Sequence, residues 1–302
     1  MTATIIDGKR VASEIRTLVK DEVERLVGKG TKPCLATILV GSDEASSLYV
    51  SLKHKACQEV GIRSIDHRFP EGTTQDRIAA KVDELNEDDN VHGVLVQLPL
   101  PPNLEAQGVM ERILPEKDVD GLNPSNMGRA MYKRYGLLPC TPAGIMVLLS
   151  RYSVDAMGRL AVIVNRSPDV GKPLALLLLN RDATVTVCHS KTKEIEEYTR
   201  RADILISAVG SRPEFLIRED MVKPGAAVID VGMNRVDGRL CGDVDFERVL
   251  HRASCITPVP GGVGPMTIAM LLRNTLAAAS AQVGMELVQS LTFDREISSP
   301  AL

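Results

Sequence analysis

A tyrosine and a lysine four residues apart, Tyr49 and Lys53 in the stretch SSLYVSLKHKAC (residues 46–57), set the first chemical question. The surrounding pattern is helical, so both side chains fall on one face with their Cβ atoms about 5–6 Å apart. The pair admits three readings. The lysine can loosen the proton of a tyrosine acid. The tyrosine can be an aromatic platform beside a lysine that handles protons itself. Or both can be ordinary polar residues of an amphipathic helix. Two further candidates have equally plain alternatives. Gln97, near the end of VHGVLVQL, reads from residue type alone as a polar strand end facing water. Asp118 and Asp120 in KDVDG read as a tight turn before Gly121.

A different chemistry is suggested further along. The run LAVIV leads into NRSPDVGKPLALLLLN, a loop that opens a helix. A strand-to-helix turn aims backbone N–H groups and the positive end of the helix dipole at an anion. A dinucleotide fingerprint wants Gly-x-Gly-x-x-Gly, and only Gly171 is present, so an ordinary strand–helix connection remains open. At the end of the next strand an NAD-binding fold usually carries Asp or Glu for the ribose hydroxyls. Here stand His189, Ser190, Lys191 and Thr192, with Arg166 in the first turn. Donors and positive charge suit a 2′-phosphate and favour NADP, although a solvated loop explains the same residues.

Elements that could position these groups alternate along the whole chain, which argues for an α/β architecture. Residues 34–41, 64–69 and 91–98 read as strands, with helical stretches starting near Val11, Ala45 and Thr74. The glycines of VGKGTKP supply a helix stop, and the prolines of QLPLPP end the third strand. A second series follows, with strands expected at 159–165, 183–190, 202–210, 226–232 and 254–260, then a helix over 267–283. The boundary is expected near residues 139–141. This gives a first domain at 1–140 completed by a helix within 267–290, a second domain at 141–266, and a loose tail at 291–302.

The chain has 302 residues, 44% hydrophobic and 25% charged, with a formal net charge of −3. That balance gives no electrostatic case for nucleic acid or an anionic membrane. No run approaches the roughly 18–20 apolar residues of a membrane span. The first residues lack the basic start and apolar stretch of a secretion signal. The six cysteines (Cys34, Cys57, Cys140, Cys188, Cys241 and Cys255) are scattered, and the five histidines show no ligand spacing, so no metal site is expected. A reducing cytoplasm fits these cysteines.

Taken in order, VGSDEASSLYVSLKHKACQEVGI, HGVLVQLPLP, PEKDVDGLNPSNMGR, PCTPAG, NRSPDVGKP, VKPGAAVIDVGMN, GDVD and TPVPGGVGPMTIAML cover residues from about 40 to 271. Together these motifs resemble the bifunctional methylenetetrahydrofolate dehydrogenase/cyclohydrolase family. The resemblance implies a three-layer αβα folate domain, a Rossmann-type NADP-binding domain, a C-terminal helix packing back on the first domain, and a homodimer. It implies oxidation of 5,10-methylenetetrahydrofolate by NADP, then hydrolysis of the methenyl product to 10-formyltetrahydrofolate. Tyr49 matches the platform that stacks on the folate, Lys53 the catalytic lysine, Gln97 its orienting partner, and Asp120 the pterin-binding carboxylate. Leu98, Pro99, Pro260, Gly261 and Gly262 match further substrate contacts. Thr141, Asn165, Arg166, Ser167, Val170 and Gly171 match cofactor contacts. So do His189, Ser190, Ala208, Val209, Gly210, Gly232, Asn234 and Gly262. Tyr-x-x-x-Lys also occurs in short-chain dehydrogenases, but there it follows the glycine-rich turn, and here it precedes it by over a hundred residues.

Hydride loss from the carbon between two nitrogens gives a cation held by conjugation, so that step mainly needs alignment. Ring opening by water calls for proton transfers, which a lysine can serve when it is neutral. Two departures stand out. Where the family usually has Gly-Arg-Ser, this chain has Asn165-Arg166-Ser167, and Asp169 adds negative charge near the expected pyrophosphate. Asn tolerates left-handed backbone but adds bulk, so crowding of the cofactor is the expectation. Two alternatives follow: a cyclohydrolase with a weakened dehydrogenase step, or a non-catalytic folate or nucleotide sensor.

Overall fold

Val- and Ile-rich runs become parallel strands in two separate sheets, and the inner strands are buried on both faces. The computed structural model describes residues 2–292. The chain opens with β1 (Thr4–Ile5) and α1 (Gly8–Val27). A first series follows: β2 (Cys34–Val40), α2 (Glu44–Glu59), β3 (Arg63–Phe69), α3 (Gln75–Glu87), β4 (Gly93–Val96), α4 (Ala106–Arg112) and α5 (Pro124–Met131). The second begins with α6 (Cys140–Arg151), β5 (Leu160–Val164), α7 (Gly171–Leu179), β6 (Thr184–Cys188), α8 (Ile195–Thr199), β7 (Ile204–Ser207) and β8 (Ala227–Asp230). It ends with β9 (Asn234–Val236), β10 (Arg239–Cys241), α9 (Phe246–Val249), β11 (Cys255–Ile256) and α10 (Val263–Gln282).

Two compact units result. Among the described residues one holds 14–140 and 268–292, the other 2–13 and 141–267. In the former, the sheet order is β3-β2-β4, all parallel, with Leu35 to Ile38 opposite Gly93 to Val96. Every residue of β2 is buried, and its Ala36, Ile38 and Val40 share one core with Ile78 and Val82 of α3 and Val109 of α4. The C-terminal part of α10 joins this unit: the fully buried Asn274 donates to the Val119 and Leu138 carbonyls, each at 2.9 Å.

In the other unit a six-stranded sheet runs β1-β11-β8-β7-β5-β6, with every pairing parallel. Chain order reverses between β5 and β7, the place where open α/β sheets receive ligands. Four departures from the sequence reading have local causes. Residues 2–13 group with this unit, because Thr4 and Ile5 pair with Cys255 and Ile256, a contact too short for a periodicity signal. The strand expected at 254–260 is only β11, since Pro258 and Pro260 cannot continue a ladder. Helix α10 starts at Val263 because Pro265 falls in its first turn, where no intrahelical N–H is needed. Of the expected tail, Leu291 closes a short 3₁₀ turn, and residues 293–302 lie outside the described residues.

Candidate functional site

In the first unit, Asp43 caps α2 by accepting the Ser46 amide at 2.7 Å, and that bond holds the Asp43 carboxyl below its usual range. The buried residues Ser46, Val50, Ala56 and Cys57 turn one helix face inward, and Tyr49 and Lys53 lie half-buried along it. Lys53 Nζ donates to Gln97 Oε1 at 3.0 Å. Gln97 sits just past β4, where its own amide continues the ladder by bonding Ile38 O at 2.9 Å. Its side-chain nitrogen donates to Leu98 O at 2.6 Å, which leaves the oxygen facing the lysine. The Leu98–Pro99 peptide that follows is cis. Burial pushes the Tyr49 phenol up from its ordinary pKa, so the ring keeps its proton at neutral pH. A phenol held protonated is a poor acid and a serviceable platform.

Asp120 is placed by an anchored segment. Lys117, itself buried, donates from Nζ to the carbonyls of Leu85, Asn86 and Asp88, at 3.1, 2.8 and 2.8 Å, closing the C-terminus of α3. Its own carbonyl accepts the Val94 amide of β4 at 2.7 Å. The two acids of KDVDG then separate. Asp118 is buried and accepts from the Gly121 and Asn123 amides and Asn126 Nδ2, so it makes the turn. Burial pushes its carboxyl up, with the charge of Asp120 adding to the effect. Gly121 has a φ of +74°, and a Cβ there would meet the Leu138–Pro139 backbone. Asp120 stays half-buried near Cys140, whose thiol is pushed well up by burial and then by the Asp120 charge, with Lys53 opposing. Lys53, Gln97 and Asp120 therefore gather around one locality. Cys140 and Asn274 support it, both bonding Val119 O, and neither role could be read from residue type.

In the second unit the glycine-poor turn is organised by Asn165. Its Oδ1 accepts from the Ser167 amide at 2.7 Å, Ser167 Oγ at 2.6 Å and the Gly171 amide at 3.0 Å. Its Nδ2 donates to Ala208 O at 2.5 Å, a bond joining the ends of β5 and β7 across the switch in strand order. Asn165 is not among the residues with left-handed backbone, and its side chain is spent inside the loop. These bonds brace the turn from within. Ser167 Oγ also accepts from Val170 and Gly171, and the Lys172 amide bonds Ser167 O. Hence the first amides of α7 are already engaged, and a Cβ at Gly171 would strike Asn165.

After β6, the His189 amide donates to Thr192 Oγ1, and the Lys191 amide to His189 Nδ1, so these residues close their own turn. Among the described residues the side chains of Arg166, Ser190 and Lys191 have no hydrogen bond or salt bridge, and all three are exposed. Unspent donors at this strand end, with no carboxylate in the turn 189–192, fit a 2′-phosphate. The residues present therefore fit NADP. Val209, Gly210, Gly232 and Asn234 line the ends of β7 and β8. Thr141 bonds Thr267 through their hydroxyls at 2.9 Å. Gly261 accepts the Lys9 amide at 3.1 Å, and a Cβ on Gly8 would strike Gly262, so the start of α1 packs directly on this loop after the cis Val259–Pro260 peptide. Among the described residues no cluster of acids, histidines and cysteines could hold a metal ion.

Comparison with known proteins gives concordant matches. A model of the tetrahydrofolate dehydrogenase/cyclohydrolase catalytic domain matches residues 6–120, and one of that family's NAD(P)-binding domain matches 139–283. The bifunctional protein FolD of Moorella thermoacetica is 54% identical over 280 residues, covering 92% of this chain and 99% of the relative. The crystal structure of the bifunctional enzyme FolD, a methylenetetrahydrofolate dehydrogenase/cyclohydrolase, from Campylobacter jejuni superposes with a TM-score of 0.90 at 48% identity, covering 93% and 99% of the two chains. The Trypanosoma brucei N5,N10-methylenetetrahydrofolate dehydrogenase-cyclohydrolase, solved with NADP and an inhibitor, gives 0.89 at 41% identity, covering 94% and 99%.

Proposed function

Because this chain belongs to the tetrahydrofolate dehydrogenase/cyclohydrolase family, we propose that Lys53 and the residues around it carry the family's proton chemistry on a folate. The protein oxidises 5,10-methylenetetrahydrofolate to 5,10-methenyltetrahydrofolate with NADP and hydrolyses the product to 10-formyltetrahydrofolate. NADP⁺, when bound, takes the hydride from the bridging carbon. The observation that carries the reading is the 3.0 Å bond between Lys53 and a Gln97 whose orientation is locked by Leu98 O.

In the hydrolytic step water adds to the methenyl carbon and the bond to nitrogen 5 breaks. The water's two protons leave in turn; one ends on nitrogen 5 and one is released to solvent. Lys53 relays them, with Gln97 fixing the line of its lone pair. Positive charge on the substrate favours the neutral form of a nearby amine, which suits this task. Tyr49 stacks on the folate, and Asp120 accepts from the pterin's N–H edge. Leu98, Pro99, Pro260, Gly261 and Gly262 complete the substrate contacts. On the cofactor, Arg166 and Ser190 read the 2′-phosphate, with Lys191 adding positive charge.

We further propose that the protein acts as a homodimer in the cytoplasm and uses no nucleic acid. The six free cysteines support a reducing compartment, and family membership supports the dimer. No described helix is long and apolar enough to cross a membrane. The test of function is a progress curve on the purified protein. Methenyltetrahydrofolate should accumulate only with NADP⁺ and then decay faster than its spontaneous hydrolysis. Fast hydrolysis of supplied methenyltetrahydrofolate, with none formed from the methylene form, would favour a cyclohydrolase with a failed dehydrogenase step, and neither reaction would favour a sensor.

A further inference from the structure

Asp243 is fully buried, yet it has no role in the reactions above. Its Oδ2 accepts Ser207 Oγ at 2.9 Å and the Val209 amide at 2.7 Å. Its Oδ1 accepts the Gly210 amide at 2.9 Å and Asn234 Nδ2 at 3.0 Å. A carboxylate has about four lone-pair sites, so these four donors saturate it. They come from two different places: the end and following loop of β7, and the first residue of β9, just past the loop after β8. A second buried acid stands behind it. Asp230 accepts the Gly232, Asp243 and Val244 amides at 3.0, 2.9 and 2.9 Å. Close approach is built into the sequence, since a Cβ at Gly232 would strike the Asp243 carboxyl and one at Gly242 the Asp230 carboxyl.

We infer that Asp243, backed by Asp230, is a positioning residue for the dinucleotide, tying the loops after β7 and β8 into the one arrangement that receives NADP⁺. The inference rests on the reading that this unit binds NADP. Every partner of the two carboxylates is a neutral amide or hydroxyl, so no cation offsets their burial. Burial, with the neighbouring Asp243 charge adding to it, pushes the Asp230 carboxyl up to about 6. Buried charge is a costly way to gain stability, because apolar residues of similar volume do it at least as well. What charge supplies here is directed acceptors that fix loop amides otherwise left to water. The knot also continues to the switch point: Asn165 holds Ala208 O from the far side, and the Arg212 amide bonds Asn234 Oδ1 at 2.8 Å.

The test uses the full chain with Asp243→Asn, which keeps the size and removes the charge and one acceptor. NADP⁺ binding is measured by calorimetry, dehydrogenase kinetics by varying NADP⁺, and hydrolysis of methenyltetrahydrofolate without cofactor. The expected result is a roughly ten- to hundredfold weaker NADP⁺ affinity, expressed in KM more than in kcat, with cofactor-free hydrolysis retained. A purely structural role would lower the folded fraction and leave the dissociation constant of the folded protein unchanged. That outcome overturns the inference. Should this variant fail to fold, Ser207→Ala keeps both acids and removes one donor; it should weaken NADP⁺ by about three- to tenfold, and unchanged affinity overturns the inference. Absence of NADP⁺ binding in the unaltered protein would instead overturn the functional reading itself.

Discussion

Lys53 reaches Gln97 from a regular helix to the end of a regular strand, whereas Asn165 and Asp243 reach their partners across loops. The folate-side unit holds a small, half-buried polar cluster on a helix and a strand end. The cofactor-side unit builds on loops instead. The amides that could greet an anion at α7 are satisfied by Asn165 and Ser167, and those after β7 by Asp243. On the proposed reading, the exposed side chains of Arg166, Ser190 and Lys191 are left to meet the cofactor's charge. One unit holds its polar side chains on a helix and a strand end, and the other first fixes its loop backbone with buried side chains.

That contrast can be broken at several points. The largest effect on the cofactor side is expected for Arg166→Ala. A charge-assisted contact contributes roughly 1.5–3 kcal/mol, so NADP⁺ should weaken by about ten- to a hundredfold while NAD⁺ barely changes. Equal losses in a binding titration would mean that Arg166 supports the loop and does not read the phosphate. A smaller effect is expected for Asn165→Gly. Loss of its bonds to Ser167, Gly171 and Ala208 should lower stability by about 1–2 kcal/mol in denaturant unfolding, without tightening NADP⁺. Tighter binding would restore the crowding explanation. The smallest is Tyr49→Phe, which keeps the ring and removes only the hydroxyl. Because burial holds the phenol protonated at neutral pH, hydrolysis and its pH profile there should match the unaltered protein. A large loss would return the tyrosine to the role of acid.

The strands were legible because a doubly covered parallel sheet demands unbroken apolar runs, as in CLATILV of β2 and LAVIV of β5. Other elements carry local signals in their caps and turns. Asn123 caps α5 with Pro124 in its first turn, and the Asp237–Gly238 pair, both at positive φ, turns β9 into β10. The strand β1 left none, being two exposed residues held by β11. Reactive side chains were legible by type and spacing, as with Tyr49 and Lys53. The groups that hold loops were not. Asp243 was one acid in GDVD until Val209 and Gly210 stood opposite it, and Asn274 was a polar residue in an apolar helix until Val119 and Leu138 turned their carbonyls to it.

If Lys53 moves the protons of ring opening, the direct measurement is the hydrolysis rate of methenyltetrahydrofolate by Lys53→Met without cofactor, corrected for the spontaneous rate. Loss of general acid–base catalysis alone removes about 10²–10⁴ in rate. The expected result is a fall of at least that order, with folate still bound. Hydrolysis within a few-fold of the unaltered protein would contradict it.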